Sequence, residues 1–175
     1  MAERRDSDGP DAVDPDVDLH VPGQRDELRA APASTLAAIS AGGVVGALAR
    51  YAVTAAFPPA PGAFAWATFA VNVSGCLLIG VLMAAITEVW RAHRLARPFL
   101  GVGVLGGYTT FSTHIVEAQQ AIQAGEPRTA LAYLAATLAA GLAATWAGVQ
   151  VMRAAARACG LDLTGQGKRT LEDRR

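Results

Sequence analysis

Lysine is nearly missing from this chain: of 15 basic residues only Lys168 is not arginine, which says more about genome composition than about function. Net charge is missing too, with 15 basic and 15 acidic residues, so there is no electrostatic footprint for nucleic acid. Cysteine occurs twice, at Cys76 and Cys159, which excludes a disulfide framework; packing and a chance thiol account for both. Charge of either sign is scarce over four stretches, Ser34–Ala56, Phe64–Val89, Phe99–Ile122 and Thr129–Met152, each at least 23 residues long. At about 1.5 Å per residue, roughly 20 residues cross a hydrocarbon core of about 30 Å. Each stretch is long enough to span, which predicts an all-α membrane protein with four transmembrane helices.

What is present between and beyond those stretches sets the organisation. Residues 1–33 are rich in Asp, Arg and Pro, a composition that predicts a disordered tail. Charge fills this region and no apolar core sits near its start, so it does not read as a secretory signal. Residues 153–175 read as a second tail, leaving 34–152 as one compact four-helix domain. Pro32 and Ser34/Thr35 open the first span, the run Phe57-Pro58-Pro59-Ala60-Pro61-Gly62 closes it, Pro98 restarts the chain after an Arg-rich connection, and Gly125-Glu126-Pro127 joins the last two spans. Short connections predict antiparallel neighbours. Both termini then share one side, together with Arg25, Arg29, Arg91, Arg94, Arg97, Arg153 and Arg157, while the opposite loops hold only Arg128. Seven against one places both termini in the cytoplasm, and the bacterial inner (plasma) membrane is the expected location.

Several residues are unusual for a membrane helix. Gly42 and Gly46 form a small-xxx-small pair that permits close helix approach. Arg50 lies within the first span, where a charge costs about 2.5–3.5 kcal/mol, unless it snorkels to the non-cytoplasmic surface. Asn72 shares a face with Gly75, Cys76 and Gly80, and its amide needs a partner, either an interhelical hydrogen bond or a ligand in a pore. Gly106-Gly107-Tyr108-Thr109-Thr110-Phe111-Ser112-Thr113 combines adjacent glycines with β-branched threonines, poor helix continuers. It predicts either a kink or a broken third helix whose freed carbonyls face a cavity. Tyr133, Thr137, Gly141, Thr145 and Gly148 make one polar and small stripe on the fourth span. Its hydroxyls either bond back to i−4 carbonyls or form a ladder of donors for an anion. Glu117 is the one carboxylate deep in a span; Glu88 reads as an interfacial ion pair near the arginines.

The Gly-Gly…Gly-Ala…Ala-Arg-Tyr run ending at Tyr51, the Asn-x-x-Gly-Cys run from Asn72, and Gly-Gly-Tyr-Thr-Thr-Phe-Ser-Thr from Gly106 together resemble the Fluc/CrcB family of fluoride channels. The resemblance covers residues 40 to 150, and its third motif is the most specific. It implies an antiparallel dimer of four-helix bundles with two fluoride pores and a central structural sodium ion (Na+). The carbonyls of Gly106 and Thr109 from both subunits would hold the sodium. Asn72 would donate to fluoride, and Phe111 would offer the positive edge of its ring. Tyr133, Thr137 and Thr145 would line a polar track, Glu117 would border a vestibule, and Arg50 would lie near the membrane interface. Fluoride is strongly hydrated, so a pore must replace its water with donors and positive ring edges. Export of cytoplasmic fluoride, relieving its toxicity, would be passive and driven by the membrane potential. No enzyme chemistry is implied.

The chain departs from the family pattern where a second Phe and a following Ser are usual: here stand His114 and Ile115. Gly141 also takes a position where a hydroxyl is often found. His114 would line the pore with a polarised ring, or make conduction pH-dependent. A homodimer containing both orientations needs little charge bias, yet the arginines are strongly biased. This points to a heterodimer with an oppositely oriented homologue that supplies the missing Phe, with a homodimer as the alternative. A small multidrug transporter would need a carboxylate deep in the first span, and there is none. A non-transporting membrane scaffold leaves the third motif and the polar stripe unexplained.

Overall fold

The computed structural model describes residues 33–89 and 95–159. Both expected tails before residue 33 and after 159, and the arginines of the connection at 90–94, lie outside the described residues, as does the Glu88 side chain. Helix α1 spans Ala33–Ala56 and α2 spans Trp66–Ala84, continuing in wider π-helical winding over Ala85–Val89. A π-wound segment Arg97–Leu105 runs into the α-helical turn Gly106–Tyr108; together they form α3. Helix α4 spans Ser112–Gln123 and α5 spans Pro127–Ala158. No strand occurs among the described residues.

Each boundary has a local cause. Gly62, at φ 75°, turns the proline-rich connection after α1. At the end of α4, Gly125 takes φ 84°; its amide donates to the Ile122 carbonyl (3.0 Å), and that of Glu126 donates to Ala121 (2.9 Å). This is the Schellman arrangement, in which a left-handed glycine lets the next two amides satisfy the last carbonyls of the helix. Pro127 then begins α5, where its missing N–H costs nothing. Helix α5 is longer than the apolar stretch 129–152 suggested. It passes Met152 and takes in Arg153 and Arg157, because Ala154-Ala155-Ala156 favours helix and no breaker intervenes.

Three of these helices are long and apolar enough to cross a membrane: Ala33–Ala56, Trp66–Thr87 and Pro127–Ala158. The third apolar stretch is divided between α3 and α4 and makes no helix of that length. Large apolar side chains point outward: Val44, Leu48 and Tyr51 on α1, and Leu131, Leu138, Leu142 and Trp146 on α5. A helix in water would hide that face. Here the outer surface is the greasy one, as a membrane protein requires.

The inside is held by backbone contact rather than by bulk. Helix α1 packs along α3 and α2 along α5. A methyl group on Gly46 would overlap the Val104 carbonyl oxygen, and on Gly148 it would overlap that of Leu77. Small residues at such crossings let the helices approach closely, where dispersion replaces the hydrophobic drive that lipid does not supply. The larger side chains gather at one end, where Phe64, Phe69 and Leu134 cover Ala65, Ala118, Ala121, Ala130 and Tyr133.

We expect Gly46→Ala to lower stability by about 1–3 kcal/mol through overpacking. Gly43→Ala, whose methyl would enter open space, should be neutral or stabilising by up to about 1 kcal/mol. Thermal unfolding of the two variants in detergent checks the contrast; equal midpoints would exclude the close α1–α3 approach.

Candidate functional site

The site is built around the gap between α3 and α4. Helix α3 ends at Tyr108, and Thr109 is extended, with φ −78° and ψ 159°. The adjacent glycines remain helical, so the chain leaves the helix at the threonines and not at Gly106-Gly107. Leaving a helix strands the last carbonyls of one segment and the first amides of the next. Several of them find partners in Asn72, Thr110 and Arg50.

Asn72, from α2, meets Thr110 twice. Its Nδ2 donates to the Thr110 carbonyl, and the Thr110 amide donates to its Oδ1, both at 2.9 Å. Thr110 in turn caps α4, its Oγ1 accepting from the Thr113 amide at 3.2 Å. In a continuous helix those two amides would have bonded the carbonyls of Gly106 and Thr109. Both carbonyls have therefore lost their helical donors. The Gly107 carbonyl receives instead the Nε of Arg50, at 3.2 Å. A cation at the C-terminal end of α3 also complements the helix dipole, so Arg50 is anchored to the gap.

The rest of the α2 motif serves the same three residues. Ser74 shares a hydrogen bond of 3.1 Å with the Tyr108 hydroxyl. A methyl on Gly75 would overlap Cγ2 of Thr109. Asn72, Ser74 and Gly75 thus address Thr110, Tyr108 and Thr109 respectively, which accounts for every polar or small member of the run up to Cys76.

A cavity of about 780 Å³ opens beside the gap, and the predicted residues Asn72, Gly106, Thr109, Phe111, His114 and Thr137 line it. Phe111 is 76% exposed, whereas His114 is only 6% exposed. The second amide hydrogen of Asn72 remains available, since only one is used on Thr110.

Other predicted residues lie elsewhere. Tyr133 is 2% exposed. Its ring meets that of His114 edge-on, with centroids 4.4 Å apart, and its hydroxyl donates to Glu117 Oε2 at 2.7 Å. The other Glu117 oxygen accepts from Thr68 at 2.7 Å. Glu117 borders a separate cavity of about 350 Å³, formed with Gln120 and the Pro59–Gly62 turn. Thr137 and Thr145 both bond back to i−4 carbonyls, those of Tyr133 (2.7 Å) and Gly141 (3.0 Å). Thr145 presents its backbone to Gly80 and does not line the large cavity. Sequence reasoning missed Thr68 and the capping role of Thr110. The first had a signal, since Thr68 precedes Asn72 by four residues and shares its face.

With this geometry in hand, comparison with known proteins identifies the family. Residues 37–149 match the model for CrcB-like proteins, described as camphor resistance (CrcB). The chain belongs to the CrcB family. Among CrcB relatives, a protein of Streptomyces avermitilis named fluoride-specific ion channel FluC 2 is 52% identical over 130 residues, covering 74% of this chain and 82% of the relative. A FluC 2 of Nocardia farcinica is 52% identical over 118 residues, 67% of this chain and 84% of the relative. A FluC 2 of Thermobifida fusca is 50% identical over 135 residues, 77% and 96% respectively. These relatives are named as channels, not as enzymes. The CrcB match covers the gap and both cavities.

Replacing Asn72 by Leu should strand the Thr110 amide and carbonyl together. At about 1–3 kcal/mol for each group left unpaired, a loss of about 2–6 kcal/mol is expected. Asn72→Asp, which keeps the acceptor for the amide, should lose less. Denaturation of both variants in detergent tests the order, and a harmless Leu would show that Asn72 does not hold the gap.

Proposed function

We propose that this chain forms a fluoride-selective channel that lets cytoplasmic fluoride leave the cell passively and so limits its toxicity. The observation that carries this reading is the cavity beside the α3–α4 gap, in a chain about half identical to proteins named fluoride-specific ion channels. An anion there meets the spare amide hydrogen of Asn72 and the ring of Phe111, whose edge carries partial positive charge. Neither holds a fixed cation, so an ion is bound in place of its water without being trapped.

In this reading α3 and α4 together make one interrupted membrane crossing, giving four crossings with both termini in the cytoplasm. Non-helical backbone is tolerated at membrane depth only where protein or a hydrated cavity satisfies it. The pairing of Arg50, Asn72 and Thr110 with the gap meets that requirement. An interrupted helix whose carbonyls have lost their amides also fits a small hard cation. The carbonyls of Gly106 and Thr109 are the residues that would hold a structural sodium ion, and space is open beside Gly106. Bound there, sodium would supply positive charge that ties the backbones of two subunits together.

Phe111 is also the reason to place a second subunit at this face. A phenyl ring 76% exposed beside the polar gap is completed by a partner that closes the cavity into a pore. The partner is an antiparallel one, and the arginine bias favours an oppositely oriented homologue over an identical copy. Streptomyces avermitilis carries two relatives of this chain, named FluC 2 and FluC 3, at 52% and 44% identity, which supports pairing between unlike copies.

Fluoride efflux from liposomes tests the reading. The chain reconstituted with its nearest genomic homologue should release fluoride in strong preference to chloride. Phe111→Ala should slow release by about tenfold or more, the loss of roughly 1.4 kcal/mol of stabilisation in the pore. Fluoride release by the chain alone would retain the channel and remove the need for an unlike partner. Folded protein that releases no fluoride in either preparation would overturn the proposal.

A further inference from the structure

His114 carries the clearest unmet chemical demand in the described structure. It sits in the first turns of α4, 6% exposed, on the wall of the large cavity with Asn72, Phe111 and Thr137. Its Nδ1 is buried and has no hydrogen-bond partner among the described residues. Buried polar atoms are nearly always paired, so an orphan asks for a ligand. The nearby polar groups make hydrogen bonds, none of them to His114 Nδ1. The Thr110 carbonyl accepts from Asn72, the Thr137 hydroxyl donates to Tyr133, and both Glu117 oxygens accept from Thr68 and Tyr133.

The electrostatic surroundings are equally specific. Helices α2 and α5 pack against α4. Helix α2 has no charged side chain from Trp66 to Ala84, and α5 has none from Thr129 to Met152. Their titratable groups near the ring are Tyr133, edge-on at 4.4 Å, and Cys76 on the cavity wall. On α4 itself the one charge within a turn is Glu117. No arginine or lysine occurs in α4 or in these stretches of α2 and α5.

We infer that His114 makes this cavity a proton-linked site for a small halide, its imidazole N–H donating to the anion so that proton and anion bind in concert. The inference rests on the channel reading above and deepens it. The coupling is reciprocal: a proton on the ring tightens anion binding, and a bound anion makes the ring harder to deprotonate. Both ring nitrogens of the imidazolium are donors, whereas a neutral ring offers one. Fluoride affinity therefore rises as pH falls through the titration of His114. A phenyl ring at this position has an edge but no proton to exchange, so the property belongs to the histidine.

Nitrogen-15 NMR of the full-length chain, labelled at its three histidines, tests this directly. His20 and His93 serve as internal references, and the signal lost in His114→Gln, or in His114→Phe if the first does not fold, assigns His114. From about pH 5 to 8, sodium fluoride should move the His114 midpoint upward by about half a unit, a threefold coupling. Sodium chloride should move it less, and the references should stay in place. In liposomes containing the wild-type channel, half-saturating fluoride should fall about threefold between pH 7.5 and 5.5, and His114→Phe should flatten that dependence. A midpoint that ignores fluoride overturns the inference even if the liposomes conduct, leaving the channel reading intact. A fluoride-dependent midpoint without conduction keeps the site and overturns the channel.

Discussion

The pair of hydrogen bonds between Asn72 and the Thr110 backbone is the interaction on which the rest depends. A polypeptide that leaves helical geometry inside a bilayer exposes amides and carbonyls that lipid cannot satisfy. Asn72 resolves this because a primary amide can donate and accept at once, matching the donor and acceptor of a single peptide residue. By capturing the Thr110 amide it also frees the Gly106 carbonyl, and Thr110 frees that of Thr109 by capping α4. Asn72 and Thr110 together thereby hold the gap open, restart α4 and take the helical donors from two carbonyls.

Glycine makes that arrangement reachable. The gap can be addressed from α2 only because Gly75 leaves room for Thr109, and from α1 only because Gly46 lets the helix approach α3 at backbone distance. Arg50 then reaches the Gly107 carbonyl from within the first span. The cost of placing its charge there is offset by a helix end that presents partial negative charge. The same close packing explains why large side chains are left to the outside.

Two polar systems result, separated by the rings of His114 and Tyr133. One is the large cavity at the gap, with an amide, a phenyl edge and an unsatisfied imidazole. The other is the Thr68–Glu117–Tyr133 cluster, which is internally satisfied and borders the smaller cavity. Their contact is the edge-on meeting of the two rings. The polar stripe of α5 divides along this line, because Thr137 reaches the large cavity while Tyr133 faces Glu117 and Thr145 packs against α2.

The all-helical membrane class, three of the four expected long apolar helices and the family were legible in the residues, because charge distribution and the Gly-Gly-Tyr-Thr-Thr-Phe-Ser-Thr run are local properties of the chain. The motifs marked Asn72 and the Gly106–Thr113 run as odd for a membrane helix, but that Asn72, Gly106, Thr109, Phe111, His114 and Thr137 share one cavity is a result of packing. The extension of α5 past Met152 was not legible, since an apolar-length rule does not see that alanine continues a helix beyond the bilayer. Periodicity put Tyr133, Thr137 and Thr145 on one stripe, but a stripe has a width of two neighbours. Only packing could decide that the first binds a carboxylate and the last crosses another helix. For Arg50 and Asn72 the sequence stated a need for partners without naming them. Those partners are backbone atoms of Gly107 and Thr110, and a backbone group looks the same in every residue until the tertiary fold leaves one of them unpaired.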